Sequence, residues 1–152
     1  MKLESPNDHH INELMTWFPD EAQLNKWSGP GFRYPFDSCS FKQDLKVDSL
    51  ASFSLLSTCN EFLAFGQYYL RLDKCHLGRL VVNPAFRGQG VAQHLVHLLR
   101  NRGQAELGTT QCSLFVLADN VNAIKAYSKL GFSIAEYPDE IGLDNCLYMV
   151  TT

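Results

Sequence analysis

The stretch from Leu77 to Gly103 constrains the fold of this chain more than any other part of the sequence. Its apolar run at residues 80–82, Leu-Val-Val, predicts a buried strand of about six residues. Asn83-Pro84 ends that strand, because proline has no N–H to donate to a neighbour. A turn with two glycines follows at residues 86–90, and apolar residues then recur at helical spacing as far as Gly103, where a helix normally stops. The sequence therefore predicts a strand, a glycine turn and a helix in succession.

A glycine turn before a helix can bind an anion. The first N–H groups of a helix have no partners inside it and together carry about half a positive charge. Gly88 and Gly90 have no Cβ, so the oxygens of another group can come close to the backbone. A diphosphate fits such a cup, and Arg87 at its edge can add a charge-assisted contact. A tight turn that merely precedes a core helix is the alternative interpretation of the same residues.

Two well-known phosphate loops do not match this turn. The P-loop requires Gly-Lys followed by Ser or Thr, whereas Val91 and Ala92 follow Gly90. The dinucleotide fingerprint requires a third glycine, and Gln93 occupies that position. A small nucleotide-binding enzyme therefore fits the sequence poorly.

Strands are predicted on both sides of the central helix. Residues 51–57, 61–71 and 75–83 have the composition of strands and are joined by short turns, which indicates three antiparallel strands. After the helix, the apolar run at 111–118 completes a strand–helix–strand crossover. Such a crossover is right-handed and normally places its two strands parallel.

The last part of the chain predicts one more helix and two strands. The helix should begin at Asp119-Asn120 and stop at Gly131. The two strands, at 132–137 and 145–150, are joined by an acidic loop at 138–144. That loop can attract a cationic amine or simply be a solvated charged segment.

The first 50 residues predict shorter elements. Residues 2–4 form a possible strand, and a helix should start near Ser5-Pro6 or Asn7. Asp20 followed by Gln23 resembles a capping box and predicts a second helix. Residues 40–45 add another helical turn.

Composition limits the class of protein. Of the 152 residues, 45% are hydrophobic and 19% charged, an ordinary balance for a soluble globular domain. No stretch reaches the roughly 18 apolar residues that a membrane helix needs, and the first residues lack the apolar centre of a signal peptide. We therefore expect a single domain over residues 1–152, located in the cytoplasm and without a membrane partner.

Cysteine usage and charge point in the same direction. The five cysteines are odd in number and scattered, so they form neither a disulfide framework nor a Cys-x-x-Cys metal pair. A reducing cytoplasm is the simplest setting for them, and we expect no metal. The net charge of −3 gives no reason to expect nucleic acid and mildly favours a cationic substrate through electrostatic steering.

Two stretches carry a resemblance to a known family. Arg87-x-x-Gly90-x-Ala92 resembles the acetyl-CoA-binding motif of the GNAT superfamily of N-acetyltransferases, Gln/Arg-x-x-Gly-x-Gly/Ala. Residues 120–132 are similar to the family's other recurring stretch, Asn-x-x-Ala-x-x-x-Tyr-x-Lys-x-Gly-Phe. The two stretches occur in the family's order and separation, and together they cover roughly residues 75–132.

The resemblance implies an α/β (α+β) fold in a single domain. Its mixed, mostly antiparallel sheet would have six to seven strands, splayed at a central parallel pair and flanked by about four helices. The pantetheine arm of the cofactor would lie in that gap and pair with freed backbone groups, as an added strand does. The cofactor-binding residues implied are Leu80, Val81, Val82, Arg87, Gly88, Gln89, Gly90, Val91, Ala92, Asn120, Ala123, Tyr127 and Lys129.

The implied reaction is direct attack of a primary amine on the thioester of acetyl-CoA in a ternary complex. Tyr127 would protonate the departing thiolate, because a phenol stays neutral at pH 7 and can donate. An aromatic residue packed in the core is the alternative for Tyr127. The backbone N–H of Val81 or Val82 would polarise the thioester carbonyl.

His76 is the candidate general base, directly or through a water, because the pKa of histidine lies close to working pH. A surface histidine at a strand end is the alternative, and Glu61 and Glu136 are weaker candidates for the base. The acceptor could be a small-molecule amine or a peptide or protein amine, and a homodimer is possible. A catalytically weak acyl-CoA-binding sensor or partner module with the same fold is the competing function.

Overall fold

A seven-stranded sheet separates two apolar clusters in this computed structural model, which describes residues 1–29, 31–141 and 144–151. The sheet order is β1-β2-β3-β4-β5-β7-β6. The strands are β1 (Lys2–Glu4), β2 (Ala51–Leu56), β3 (Phe62–Arg71), β4 (Lys74–Val82), β5 (Cys112–Leu117), β6 (Phe132–Ala135) and β7 (Cys146–Thr151). The helices are α1 (Asp8–Met15), α2 (Glu21–Ser28), α3 (Ser38–Leu45), α4 (Val91–Leu107) and α5 (Val121–Lys129).

The two clusters assign the helices to opposite faces of the sheet. Helices α4 and α5 pack in the cluster that includes Leu95, Leu99 and Leu114. Helices α1, α2 and α3 pack in the other cluster, where Leu24 and Phe41 are fully buried. The sheet thus forms the middle layer of three.

Side-chain caps explain where the short helices begin. Asp20 accepts a hydrogen bond from the backbone N–H of Gln23, as the capping pattern predicts. Asn7 caps α1 and Asp37 caps α3 in the same way. Asn120 accepts from the backbone N–H of Ala123 and starts α5.

The parallel pair at the centre of the sheet is short, and its strands then separate. Strands β4 and β5 pair at Cys75–Cys112, His76–Ser113 and Leu77–Leu114 only, although β4 continues to Val82 and β5 to Leu117. Every other strand pair is antiparallel. The predicted mixed sheet with a splayed central pair is confirmed.

A β-bulge bends β4 just after this separation. Phe65 lies opposite Val81 and Gln67 opposite Gly78, so three steps along β4 match two along β3. Arg79 lies within the extra step and has φ of +48°, the left-handed region that few residues other than glycine adopt. The bulge turns Arg79 out of the regular ladder.

The prediction that Gly103 ends the central helix is wrong. Helix α4 continues to Leu107 and ends at Gly108, which has a left-handed φ of +68°. Gly103 is buried inside the helix, and a Cβ built there would lie 2.4 Å from the Sγ of Cys75 and 3.1 Å from the ring of Tyr68. The glycine therefore permits close packing of α4 on the sheet.

The predicted end of the last helix at Gly131 is confirmed, whereas a shorter strand boundary differs from the prediction. Helix α5 ends at Lys129 with Leu130 as its C-cap, and Gly131 follows with φ of +94°. Strand β6 ends at Ala135 instead of residue 137. The acidic loop at 138–144 includes residues 142 and 143, which lie outside the described residues.

The contact at Gly103 makes a prediction about stability. Replacing glycine by alanine inside a helix normally stabilises it by about 1 kcal/mol, but Gly103→Ala should destabilise the protein by about 1–3 kcal/mol through overpacking. Urea unfolding measures the change. In a Cys75→Ala background, the same Gly103→Ala change should reduce the free energy of unfolding by less, because the sulfur atom nearest to the new Cβ is gone. Exposed Asn101→Ala on the same helix is the control, and a stabilising effect of Gly103→Ala would contradict the packing explanation.

Candidate active site

The glycine turn before α4 is open to solvent. Gly88 and Gly90 have φ of +78° and +76°, and a Cβ at either position would meet no atom within 4 Å. Gly90 is the N-cap of α4, so no side chain caps the helix, and its first turn holds no acidic residue. Arg87 and Gln89 beside them are exposed. The uncapped N–H groups can therefore donate hydrogen bonds to an anion of phosphate size.

A cleft of about 400 Å³ opens where β4 and β5 separate. Residues 78–80 of β4 and 115–117 of β5 form two of its walls. Asn120 and Tyr127 line it from the start and the inner face of α5, and residues 26–29 from the end of α2. The separation of the two strands therefore creates the cleft.

The structure brings only part of the predicted set of site residues to the cleft. Leu80, Asn120, Tyr127 and His76 line it. The side chains of the remaining predicted residues do not line the cleft. Val81 packs against the cluster of α1–α3, Val82 and Ala123 pack on the opposite cluster, Val91 is buried there, Ala92 is half-buried, and Lys129 is exposed.

Tyr127 carries a neutral hydroxyl in the cleft. Its ring is half-buried and lies 6.1 Å from the ring of Phe132, centroid to centroid. Burial raises the pKa of Tyr127 to about 12, so the phenol keeps its proton at neutral pH. Within the described residues its hydroxyl makes no hydrogen bond, which leaves the proton available to a ligand.

His76 is buried at the inner end of the same cleft, with 1% of its surface exposed. Its Nδ1 lies 2.9 Å from the Oγ of Ser113, its partner across the parallel pair. Its ring packs against Tyr69 and Phe115, with centroids 5.3 and 4.7 Å away. Burial, followed by the charge of Arg71, lowers the pKa of His76 to about 3. The imidazole is therefore uncharged at neutral pH, and its free ring nitrogen can take part in a hydrogen bond without holding a full positive charge.

The two weaker candidates for the base lie away from the cleft. Glu61 accepts a hydrogen bond from Ser57 in the turn between β2 and β3 and is exposed. Glu136 is exposed beyond the end of β6. Neither is among the described residues that line the cleft.

Sequence reasoning did not name Arg71 or Arg79, two cationic side chains that line the cleft. A signal existed for Arg79, because it is a charged residue next to the apolar run at 80–82. The direction of the Arg79 side chain depends on the β-bulge, which the periodicity of a strand does not reveal. The alternation of Gln67, Tyr69 and Arg71 along β3 places these three on one face and gave a signal for Arg71.

Two kinds of site find no support in the described part of the chain. Residues 1–29, 31–141 and 144–151 contain no cluster of three or more His, Cys, Asp or Glu side chains that could hold a metal ion. The helices within these ranges are too short or too polar to cross a membrane.

Comparison with known proteins identifies a family and individual proteins that are similar to this chain. Residues 11–132 match the model of the acetyltransferase (GNAT) family. A mycothiol acetyltransferase of Corynebacterium glutamicum (strain R) is 42% identical over 55 residues, which are 36% of this chain and 18% of that protein. The chain thus spans less than a fifth of the length of this curated relative.

Solved structures show the same fold at low sequence identity. The ribosomal-protein-S18-alanine N-acetyltransferase of Escherichia coli is 21% identical and has a TM-score of 0.68, with 99% of this chain and 92% of that chain covered. The spermidine N-acetyltransferase of Vibrio cholerae, in complex with CoA and spermine, is 14% identical and has a TM-score of 0.75, with coverage of 98% and 93%.

Burial of neutral His76 predicts a specific dependence of stability on pH. The unfolded chain binds a proton at this residue near pH 6.5, whereas the folded protein resists it until about pH 3. The contribution of neutral His76 to the free energy of unfolding is therefore fully present above pH 6.5. It falls by up to about 1.4 kcal/mol for each pH unit below that value. When the pH falls from 7.5 to 5.0, the free energy of unfolding measured with urea should decrease by about 2 kcal/mol more for the natural protein than for His76→Gln. Exposed His97→Gln should behave like the natural protein, and equal losses for all three would contradict the burial of a neutral imidazole.

Proposed function

This chain belongs to the acetyltransferase (GNAT) family, and we propose that it transfers the acetyl group of acetyl-CoA to a primary amine by direct attack in a ternary complex. The observation that carries the proposal is the pairing of an open, uncapped glycine turn with a cleft that holds the neutral phenol of Tyr127. The names of similar proteins support an amine as acceptor, since they include an N-acetyltransferase of spermidine and one of a protein alanine.

The turn and the freed strand are suited to the two ends of the cofactor. The backbone N–H groups of residues 87–92 would hold the diphosphate, with the exposed Arg87 side chain adding a charge-assisted contact. Beyond Leu77, β4 is no longer paired with β5, so its backbone groups on that side can pair with the pantetheine arm. The Oδ1 of Asn120 already accepts from Ala123, which leaves the Nδ2 amide to donate to that arm.

The reaction would proceed without a covalent enzyme intermediate. The amine nitrogen attacks the thioester carbonyl, a C–N bond forms, and the C–S bond breaks as the tetrahedral intermediate collapses. Tyr127 gives its proton to the departing thiolate. The backbone N–H of Val81 or Val82 stabilises the developing oxyanion.

The proton of the amine leaves through His76 or a water that His76 orients. The low pKa of His76 favours the second route, because a neutral imidazole can accept a hydrogen bond while a buried imidazolium is costly. The bond between His76 and Ser113 fixes the ring orientation that either route needs.

Calorimetry tests the cofactor half of the proposal. Acetyl-CoA should bind with a Kd on the order of tens of micromolar or tighter, and Gly90→Ala should weaken binding by about tenfold or more, because the left-handed turn is strained and its cup is narrowed. Gly108→Ala is a matched control, since it strains a left-handed glycine at the other end of α4 with equally open surroundings. No binding to the natural protein, or equal losses of affinity in both variants, would contradict the proposed cup.

The acid role of Tyr127 predicts a change in turnover without a change in cofactor affinity. Tyr127→Phe should lower kcat by about 10- to 100-fold, while the Kd of acetyl-CoA stays within about twofold, because the hydroxyl acts in the transition state. Release of the CoA thiol measures turnover. Tyr34→Phe removes an exposed phenol outside the cleft and should leave kcat unchanged. A Tyr127→Phe variant with natural kcat would remove the acid role.

A further inference from the structure

Arg79 is a half-buried cation in the wall of the cleft. It lies in the bulge of β4 and lines the cleft next to Gly78 and Leu80. Its guanidinium carbon lies 5.4 Å from the centre of the Phe32 ring. Partial burial lowers the pKa of the guanidinium.

A chain of buried and partly buried hydrogen bonds holds this guanidinium in place. The Nε2 of Gln67 donates to the carbonyl of Leu45 and to the hydroxyl of Ser52, which in turn donates to the carbonyl of Leu50. These bonds fix the amide of Gln67 so that its Oε1 accepts from Nη1 of Arg79. Gln67 and Ser52 are both buried. The polar network therefore orients Gln67 toward Arg79 and fixes the position of the guanidinium.

Arg79 has no counter-ion in the described part of the chain. The salt bridges found there involve other residues, and the partner of Arg79 is a neutral amide. Its Nε–H is buried and has no acceptor within the described residues. Withdrawing a charge from water without an ionic partner is costly, so a site that keeps such a half-buried charge is suited to a ligand of opposite charge.

The rest of the cleft repeats this preference for an anion. Arg71 and Lys26 also line it, and the described residues contribute no aspartate or glutamate to its lining. The indole N–H of Trp27, another lining residue, is a second buried donor without an acceptor among the described residues. Asp139 and Glu140 are exposed and do not line the cleft.

We propose that the acceptor amine carries an anionic group, a carboxylate or a phosphate, and that Arg79 binds this group while the amine faces Tyr127 and His76 in the same cleft. The inference rests on the proposed acetyl transfer and names the class of its acceptor. A guanidinium pairs with two oxygens of a carboxylate or phosphate at once, which fixes the orientation of the acceptor as well as its charge. A polyamine would place an additional positive charge beside Arg79 and Arg71, where no described carboxylate compensates it.

Matched acceptors test the inference with the natural protein. Two pairs differ in charge at similar size, amino acids with their amides and 4-aminobutanoate with 1,4-diaminobutane. A third pair, phosphoethanolamine with ethanolamine, differs by the phosphate group. The anionic member of at least one pair should have a kcat/KM at least about tenfold higher, measured by release of the CoA thiol. Whether the carboxylates or the phosphate respond identifies the group. Preference for the neutral or cationic members, equal rates, or turnover of none of them would overturn the inference.

Variants of Arg79 test the contact itself. Arg79→Gln should raise KM for the preferred anionic acceptor by about tenfold or more, yet change KM for its neutral counterpart by less than about twofold. Arg79→Lys keeps the charge without the planar fork, so its KM for the anionic acceptor should lie between those of the natural protein and Arg79→Gln. This variant also tests the contact if Arg79→Gln fails to fold. Arg102→Gln removes a positive charge from the exposed side of α4 and controls for net charge. Equal losses for the anionic and neutral acceptors would overturn the role of Arg79.

The affinity for acetyl-CoA separates this inference from the proposed function. A protein that fails to bind acetyl-CoA contradicts acetyl transfer itself. A protein that binds acetyl-CoA and acetylates neutral or cationic amines retains that function and contradicts only the anionic acceptor.

Discussion

The site depends on one constraint, the early end of hydrogen bonding between β4 and β5. The two parallel strands pair at three positions and then separate, although both continue. Continued pairing would satisfy their backbone groups with each other and close the cleft. Because pairing stops at Leu77 and Leu114, the sheet has a gap in its centre, while the remaining strands keep it a single layer. The cleft, the free backbone of β4 and the exposure of Tyr127 to a ligand all follow from this gap.

Local patterns were sufficient to predict most of the sheet and the boundaries of several helices. The apolar runs, the side-chain cap at Asp20 and the strand–helix–strand crossover depend on residues close together in sequence, and the structure confirms them. Gly103 shows where such patterns fail. A glycine at a helix end and a glycine under a packed helix look alike in sequence, and only the approach of Cys75 and Tyr68 distinguishes them.

The chemistry of the cleft was harder to predict for a related reason. The type of His76 suggested a base with a pKa near neutral pH, yet its burial between aromatic rings gives it a much lower pKa. Arg79 was missed because the bulge changes the face on which it lies. Net charge also does not describe the cleft, since the chain carries −3 overall while the described charges that line the cleft are positive. Desolvation and local charge arise from tertiary contacts, so composition does not contain them.

The position of the sheet between two separate apolar clusters has an evolutionary consequence. The glycine turn belongs to the layer of α4, whereas Trp27 and the network that holds Arg79 belong to the layer of α1–α3. Under the proposed function, mutations that reshape the second layer would alter which molecules are modified, and the opposite layer would still bind the acyl donor. Such a division would let a lineage acquire new substrates through mutations on one face of the sheet, while the binding of the acetyl donor on the other face stays intact.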